Sequence, residues 1–149
     1  MRSGSTSSWG VARYKNNICH RGTKTRRKAI NAITDKIIGC AIEVHRNLGP
    51  GLLESIYEKA LCHELGSRGL HYENQAVVPI VYKGSKLGEH RIDLLVENRV
   101  IVELKATERL EPVFKAQLLS YLKLTEKKVG LLINFNVPVL RDGVTRVVL

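Results

Sequence analysis

Arg91-Ile92-Asp93-Leu94-Leu95-Val96-Glu97-Asn98-Arg99-Val100-Ile101-Val102-Glu103-Leu104-Lys105 is the stretch on which the fold of this chain turns. Its two halves alternate with the period of a strand. Ile92, Leu94 and Val96 oppose Arg91, Asp93 and Leu95, and Val100, Val102 and Leu104 oppose Ile101, Glu103 and Lys105. With Glu97-Asn98-Arg99 as the connecting loop, Val96 faces Val100, and counting back sets Asp93 opposite Glu103 and Arg91 opposite Lys105. The two carboxylates then share one face. Like charges directly opposite in an antiparallel pair are destabilising by about 0.2 to 1 kcal/mol, so something must offset the repulsion. A divalent cation does so, because paired carboxylates form a nest of hard oxygens suited to Mg2+ or Mn2+. Lys105, two residues beyond Glu103 and on the same face, stands where it can hold an attacking water or neutralise a phosphate. The ordinary alternative is a solvated strand face on which Arg91 and Lys105 balance Asp93 and Glu103.

The neighbouring elements favour a covered sheet. Upstream, Ala76 to Tyr82 is apolar and β-branched, and the Lys83-Gly84 turn joins it to the strand from His90 to Val96. Further upstream, Ile37, Ile38, Ala41, Ile42 and Val44 mark a helix starting near Thr34, which Gly49-Pro50-Gly51 stops. A second helix runs from about Leu52 to Arg68, with Gly69 just beyond its end. Downstream, Glu111-Pro112 opens a helix lasting to about Leu124. Val129 to Phe135 is almost wholly apolar, as expected of a strand buried on both faces, and Thr145 to Val148 supplies a short extra strand. The expected order is α-α-β-β-β-α-β, an α/β fold with a mixed β-sheet flanked by helices. In such a sheet the charged face is semi-buried, and buried charges require partners.

Composition narrows the class. The 149 residues suffice for one domain with a real core, and 44% hydrophobic with 26% charged residues is ordinary for a globular protein. No apolar run approaches the roughly 20 residues of a spanning helix. Cys19, Cys40 and Cys62 are odd in number and widely spaced, which suggests neither a disulfide framework nor a cysteine zinc site and fits a reducing cytoplasmic setting. The formal charge of +10 is unevenly placed: residues 1–33 hold eight Lys or Arg and no Asp or Glu, and the remainder is nearly neutral. That polar, basic stretch reads as a disordered tail ahead of a domain covering 34–149. It is a phosphate-gripping arm or an extension without a role, and it also fits, more loosely, an organelle transit peptide.

Three motifs together resemble the PD-(D/E)xK nuclease superfamily. Asp93 followed by Glu103-Leu104-Lys105 looks like its split D…ExK signature, although Ile92 stands where the signature has proline. Gly51-Leu52-Leu53-Glu54-Ser55-Ile56-Tyr57 reproduces the motif of the GxxExxY family, a branch of that superfamily. Gln117 and Tyr121 resemble the QxxxY element of its exonuclease-like branch. The resemblance covers about Thr34 to Leu149. It implies a restriction-endonuclease-like core and a Mg2+- or Mn2+-dependent hydrolase cutting phosphodiester bonds in DNA. It further implies that Asp93, Glu103, Glu54 and the backbone carbonyl of Leu104 ligate the metal. Lys105 would be the catalytic lysine, and Gln117 would steady the site or touch substrate. Arg91, Tyr57 and Tyr121 would support substrate or structure.

Bland readings of single residues stand beside these. Tyr57 fits packing as well as catalysis, Glu54 fits a helix N-terminus, and Gln117 with Tyr121 fits the polar side of an otherwise leucine-rich helix. His90 lies close enough to Asp93 for a flanking contact. A different class of function also remains open, that of a nucleic-acid-binding or partner-binding module that keeps the fold without turnover. The small size favours dependence on a partner or on a homodimer.

Overall fold

The computed structural model describes residues 8–149, with side chains from residue 22 onward. Its elements are α1 (Ser8–Leu48), α2 (Glu54–Ser67), β1 (Tyr72–Tyr82), β2 (Ser85–Val96), β3 (Val100–Lys105), α3 (Pro112–Thr125), β4 (Val129–Asn134), a short 3-10 turn (Leu140–Gly143) and β5 (Val144–Val148). The order matches the expected one, and Thr145–Val148 is indeed a strand, lengthened by one residue. The chain divides into two units, up to Ala32 and from Ile33 onward. One expectation changes: the stretch 8–33, read as disordered, has helical backbone, since α1 begins at Ser8 rather than near Thr34. A helix satisfies its hydrogen bonds within itself and needs no apolar face to do so, so the absence of apolar periodicity there did not exclude one. Residues 1–7 lie outside the described part.

Within the second unit, the five strands lie in the order β1-β2-β3-β4-β5. β1, β2 and β3 are antiparallel neighbours, β3 and β4 are parallel, and β5 closes the edge antiparallel to β4. The parallel pair requires a crossover, which α3 supplies. Glu97 and Asn98 both take positive φ (52° each) in the β2–β3 loop, and Val96 pairs with Val100 as the loop length demands.

α3 lays Leu118, Tyr121 and Leu122 on one face of the sheet, against Ala76, Val78, Ile92, Ile101, Leu132 and Val147. Val100, Val102, Leu104, Leu131 and Ile133, at alternate positions, are equally buried, so the second face is covered too. α2 packs against β3, with Tyr57, Leu61 and Leu65 buried, and Ile37, Cys40, Ala41 and Val44 in the C-terminal half of α1 are buried as well. β4 is buried at every position, as its unbroken apolar run implied. Strict alternation in β2 does not hold to its start. Ile92 and Leu95, three residues apart, both join the α3 cluster, so the strand changes face around Asp93.

α3 sits so close to β4 that a Cβ on Gly130 would lie 2.7 Å from Leu118 Cδ1. Leu118 is fully buried and has little room to retreat. Gly130→Ala therefore overpacks the α3–β4 contact and lowers stability by about 1–3 kcal/mol, measurable as a lower urea midpoint with an unchanged m-value; an unaltered midpoint would show the contact to be loose.

Candidate active site

The β2–β3 ladder ends at Leu94↔Val102. In the same register the next pair is Asp93 and Glu103, and here side chains take over from backbone. Asp93 N–H donates to Glu103 Oε1 at 3.2 Å, and Leu104 N–H donates to Asp93 Oδ2 at 2.8 Å. Each carboxylate captures a backbone donor of the opposing strand, so the two are brought together as the hairpin register required. In an extended strand a residue's N–H and C=O point to the same neighbour, so the Leu104 carbonyl also faces β2. The expected Arg91–Lys105 pair does not form part of this ladder. Arg91 is exposed and pairs with Val77 of β1, because β2 continues with β1 alone once β3 has diverged.

Glu103 is 6% exposed. Burial, and after it the negative charge of Asp93, push its carboxyl up to about 8, against the opposing pull of the Asp93 N–H and of Lys105. Burial likewise raises Asp93; the Leu104 N–H opposes this, Glu58 adds to it, and Lys105 opposes it. Glu54, in the first turn of α2, is raised chiefly by burial, with Lys105 lowering it and Asp93 raising it. Glu54 and Lys105 thus lie within the electrostatic reach of the pair. The Lys105 ammonium rests 4.5 Å above the centre of the Phe114 ring on α3, a cation–π contact that limits where it can point.

Tyr57 proves to be a packing residue. It is fully buried and stacks on Phe135 with ring centres 4.5 Å apart and planes 6° from parallel. Its hydroxyl donates to the Gly49 carbonyl at 2.5 Å and accepts from Leu52 N–H at 3.1 Å. It thereby pins the turn in which Gly51 takes φ 99°, a conformation suited to glycine. That turn delivers Glu54 to the site. Gln117 bonds to Tyr121, whose hydroxyl is raised first by burial and next by the charge of Glu103. The His90 ring lies 5.7 Å from that of Tyr121, a flanking contact.

Sequence reasoning missed three residues. Glu58, one turn after Glu54, accepts from Gln75 Nε2 through both its oxygens at 3.0 Å, and the same amide lies 3.5 Å from Asp93 Oδ1. The (i, i+4) spacing of Glu54 and Glu58 was an available signal. Asn134 is 2% exposed and ties down the segment after Lys105: it donates to the Thr107 carbonyl at 2.8 Å and accepts from the N–H groups of Thr107 and Asn136.

The donor set fits a hard divalent cation. Asp93 and Glu103 carry about four lone-pair sites each, and the hydrogen bonds described occupy only some of them. Mg2+ in particular is commonly held by one or two carboxylates together with waters and substrate phosphate. Among the described residues, no three or more His, Cys, Asp or Glu side chains are gathered so as to hold a metal ion by themselves.

The proton on Glu103 sets a pH dependence. Between the ordinary glutamate range and about 8, the native protein without metal holds a proton that the unfolded chain has released. The unfolded state binds fewer protons, so stability falls as pH rises through that window, by about a few kcal/mol. Asp93 and Glu54, both raised, act with the same sign. Glu103→Gln removes the charge and flattens the slope, which urea denaturation of metal-free protein between about pH 5 and 9 reads directly; an equal slope in the variant would place the proton elsewhere.

Comparison with known proteins agrees with this geometry. No curated protein and no solved structure matches the chain. The family model of the PD-(D/E)XK nuclease superfamily matches residues 31–147, a span that contains every residue described at the site. With a mixed sheet of this order and a paired Asp93 and Glu103 beside Lys105, the chain belongs to the PD-(D/E)XK nuclease superfamily.

Proposed function

We propose that the protein is a Mg2+- or Mn2+-dependent deoxyribonuclease that hydrolyses phosphodiester bonds, with Asp93, Glu103 and Lys105 as its catalytic centre. The observation that carries this reading is the mutual capture of backbone amides by Asp93 and Glu103, which holds two carboxylates side by side in a buried place. Asp93, Glu103, Glu54 and the carbonyl of Leu104 would hold the cation. When bound, the cation supplies Lewis acidity toward a phosphoryl oxygen and lowers the pKa of water.

The chain's own residues do the rest. The Leu104 and Asp93 amides fix the two carboxylates before substrate arrives, so little reorganisation is needed as charge develops. Lys105, steered by Phe114, keeps its ammonium on the carboxylate side, where it can orient a nucleophilic water or offset negative charge on phosphate. Gln117 and Tyr121 brace α3 against this face, and Tyr57 supports the turn that presents Glu54. Arg91, exposed on β2, is available to a substrate phosphate.

DNA is the substrate class that the superfamily makes most natural. A cytoplasmic site of action agrees with the free thiols of Cys40 and Cys62 and with the absence, among the described residues, of a helix able to cross a membrane. The modest size leaves room for a homodimer or a protein partner.

A second reading, a nucleic-acid-binding or partner-binding module without turnover, draws on one observation: no three described carboxylates are gathered so as to hold a metal ion by themselves. Cleavage decides between them. Wild type incubated with Mg2+ or Mn2+ is expected to cut single-stranded, duplex or branched DNA, and Lys105→Ala to lose about 10²-fold or more in kcat. Asp93→Ala is expected to abolish the calorimetric heat of Mn2+ binding. Binding of nucleic acid without metal-dependent cleavage would establish the module reading, and a Lys105→Ala protein as active as wild type would remove Lys105 from the mechanism.

A further inference from the structure

Gln75 interrupts β1. Its φ is 54°, in the left-handed region that a residue with a side chain adopts rarely. The β1–β2 register pairs Asn74 with Leu94 and Ala76 with Ile92, and passes over Gln75 and Asp93 between them. A backbone departure of this kind persists only where the surroundings hold it, and such departures gather at functional sites. Here the surroundings are two carboxylates. The Gln75 amide donates to both oxygens of Glu58 and lies 3.5 Å from Asp93 Oδ1. It is half-buried, as are Glu58 and Asp93.

We propose that Gln75 is a positioning residue, which ties Glu58 of α2 to Asp93 of β2 and thereby fixes both the Asp93 carboxylate and the face of α2 that carries Glu54. The reasoning is electrostatic and geometric. Glu58 and Asp93 face each other with like charge, and a neutral amide between them gives each a donor without adding a charge of its own. Asp93 is then held at both oxygens, Oδ2 by Leu104 N–H and Oδ1 from the side of Gln75. A carboxylate with a donor near each oxygen resists rotation more than one held at a single oxygen. Glu58 and Glu54 are separated by one helical turn, so the same tie orients Glu54 toward Asp93 and Lys105. The role of Gln75 in turnover rests on the nuclease reading above; the tie itself does not.

Gln75→Gly tests the side chain without straining the backbone, because glycine accepts this φ freely. The variant is expected to fold and melt cooperatively, while losing about 10-fold or more in kcat and in Mn2+ affinity, the range typical of residues that orient metal ligands. KM is expected to change little, and Gln75→Gly with Glu58→Gln to regain part of the loss because the unscreened charge is gone. A Gln75→Gly protein with the kcat and Mn2+ affinity of wild type overturns the proposal. Proton exchange at the Gln75 side-chain amide, followed by NMR in metal-free full-length protein, separates the two readings. Protection in wild type that is lost in Glu58→Ala, while backbone amides stay protected, supports the tie even if wild type neither binds Mn2+ nor cuts DNA. An amide that exchanges freely in wild type overturns it.

Discussion

The local event on which the site depends is the replacement of a backbone ladder by side chains at one rung. Two strands that have paired through Leu94 and Val102 could continue with ordinary amide-to-carbonyl bonds. Instead the Asp93 and Leu104 amides are taken by the carboxylates opposite them. Three consequences follow from that exchange. The Asp93 and Leu104 amides remain satisfied although the ladder has ended. The strands are free to diverge, which releases β2 to run on with β1 alone. The two acids are also held at a separation that solvated side chains on an open sheet would not keep.

The same economy explains the spacing from Gly51 to Tyr57. Each of the three marked residues answers a different physical demand of one short connection. Gly51 allows the turn, Glu54 stands in the first turn of α2 on the side of the carboxylates, and Tyr57 locks the turn to the core through its hydroxyl and its stack on Phe135. A phenylalanine at 57 would keep the stack and leave the Gly49 carbonyl and the Leu52 amide without their partner. The tyrosine therefore belongs to the site although it does not reach it, since it sets where Glu54 begins.

Much of this was legible in the sequence because it rests on period and loop length. The alternation of residues 91–105 and the three-residue loop determined which acids meet, and an unbroken apolar run identified β4 as the interior strand. What escaped depends on partners distant in sequence or on local departures from regularity. Gln75 follows Glu73 and Asn74 and precedes the apolar run that marked the strand from Ala76, and β1 extends back through it to Tyr72 with a left-handed φ that composition did not specify. Glu58 was marked only by its (i, i+4) spacing from Glu54, and its partner Gln75 lies 17 residues away in sequence. Arg91 was assigned to Lys105 by extending a register whose backbone pairing ends at Leu94 and Val102. The helical backbone of 8–33 escaped for another reason: a helix leaves no pattern in a sequence that has no apolar face to display.

The remaining constraint lies at the far side of the site, where β3 and β4 run parallel and both end. Lys105 pairs with Asn134, and Phe135 N–H donates to the Lys105 carbonyl at 2.9 Å. Asn134 then spends its amide on Thr107 and Asn136, closing the turn by which the chain leaves β3 for α3. A lysine at the end of a strand is ordinarily the most mobile charge in a sheet, because the chain beyond it is loop. Here its backbone is paired on the β4 side, the residues after it are bonded to a buried asparagine, and its ammonium rests on a phenylalanine from the following helix. The parallel crossover therefore does more than complete the sheet. By returning the chain beside β3 it supplies Asn134, by packing α3 on the face it supplies Phe114, and between them Lys105 is restrained at both its backbone and its ammonium.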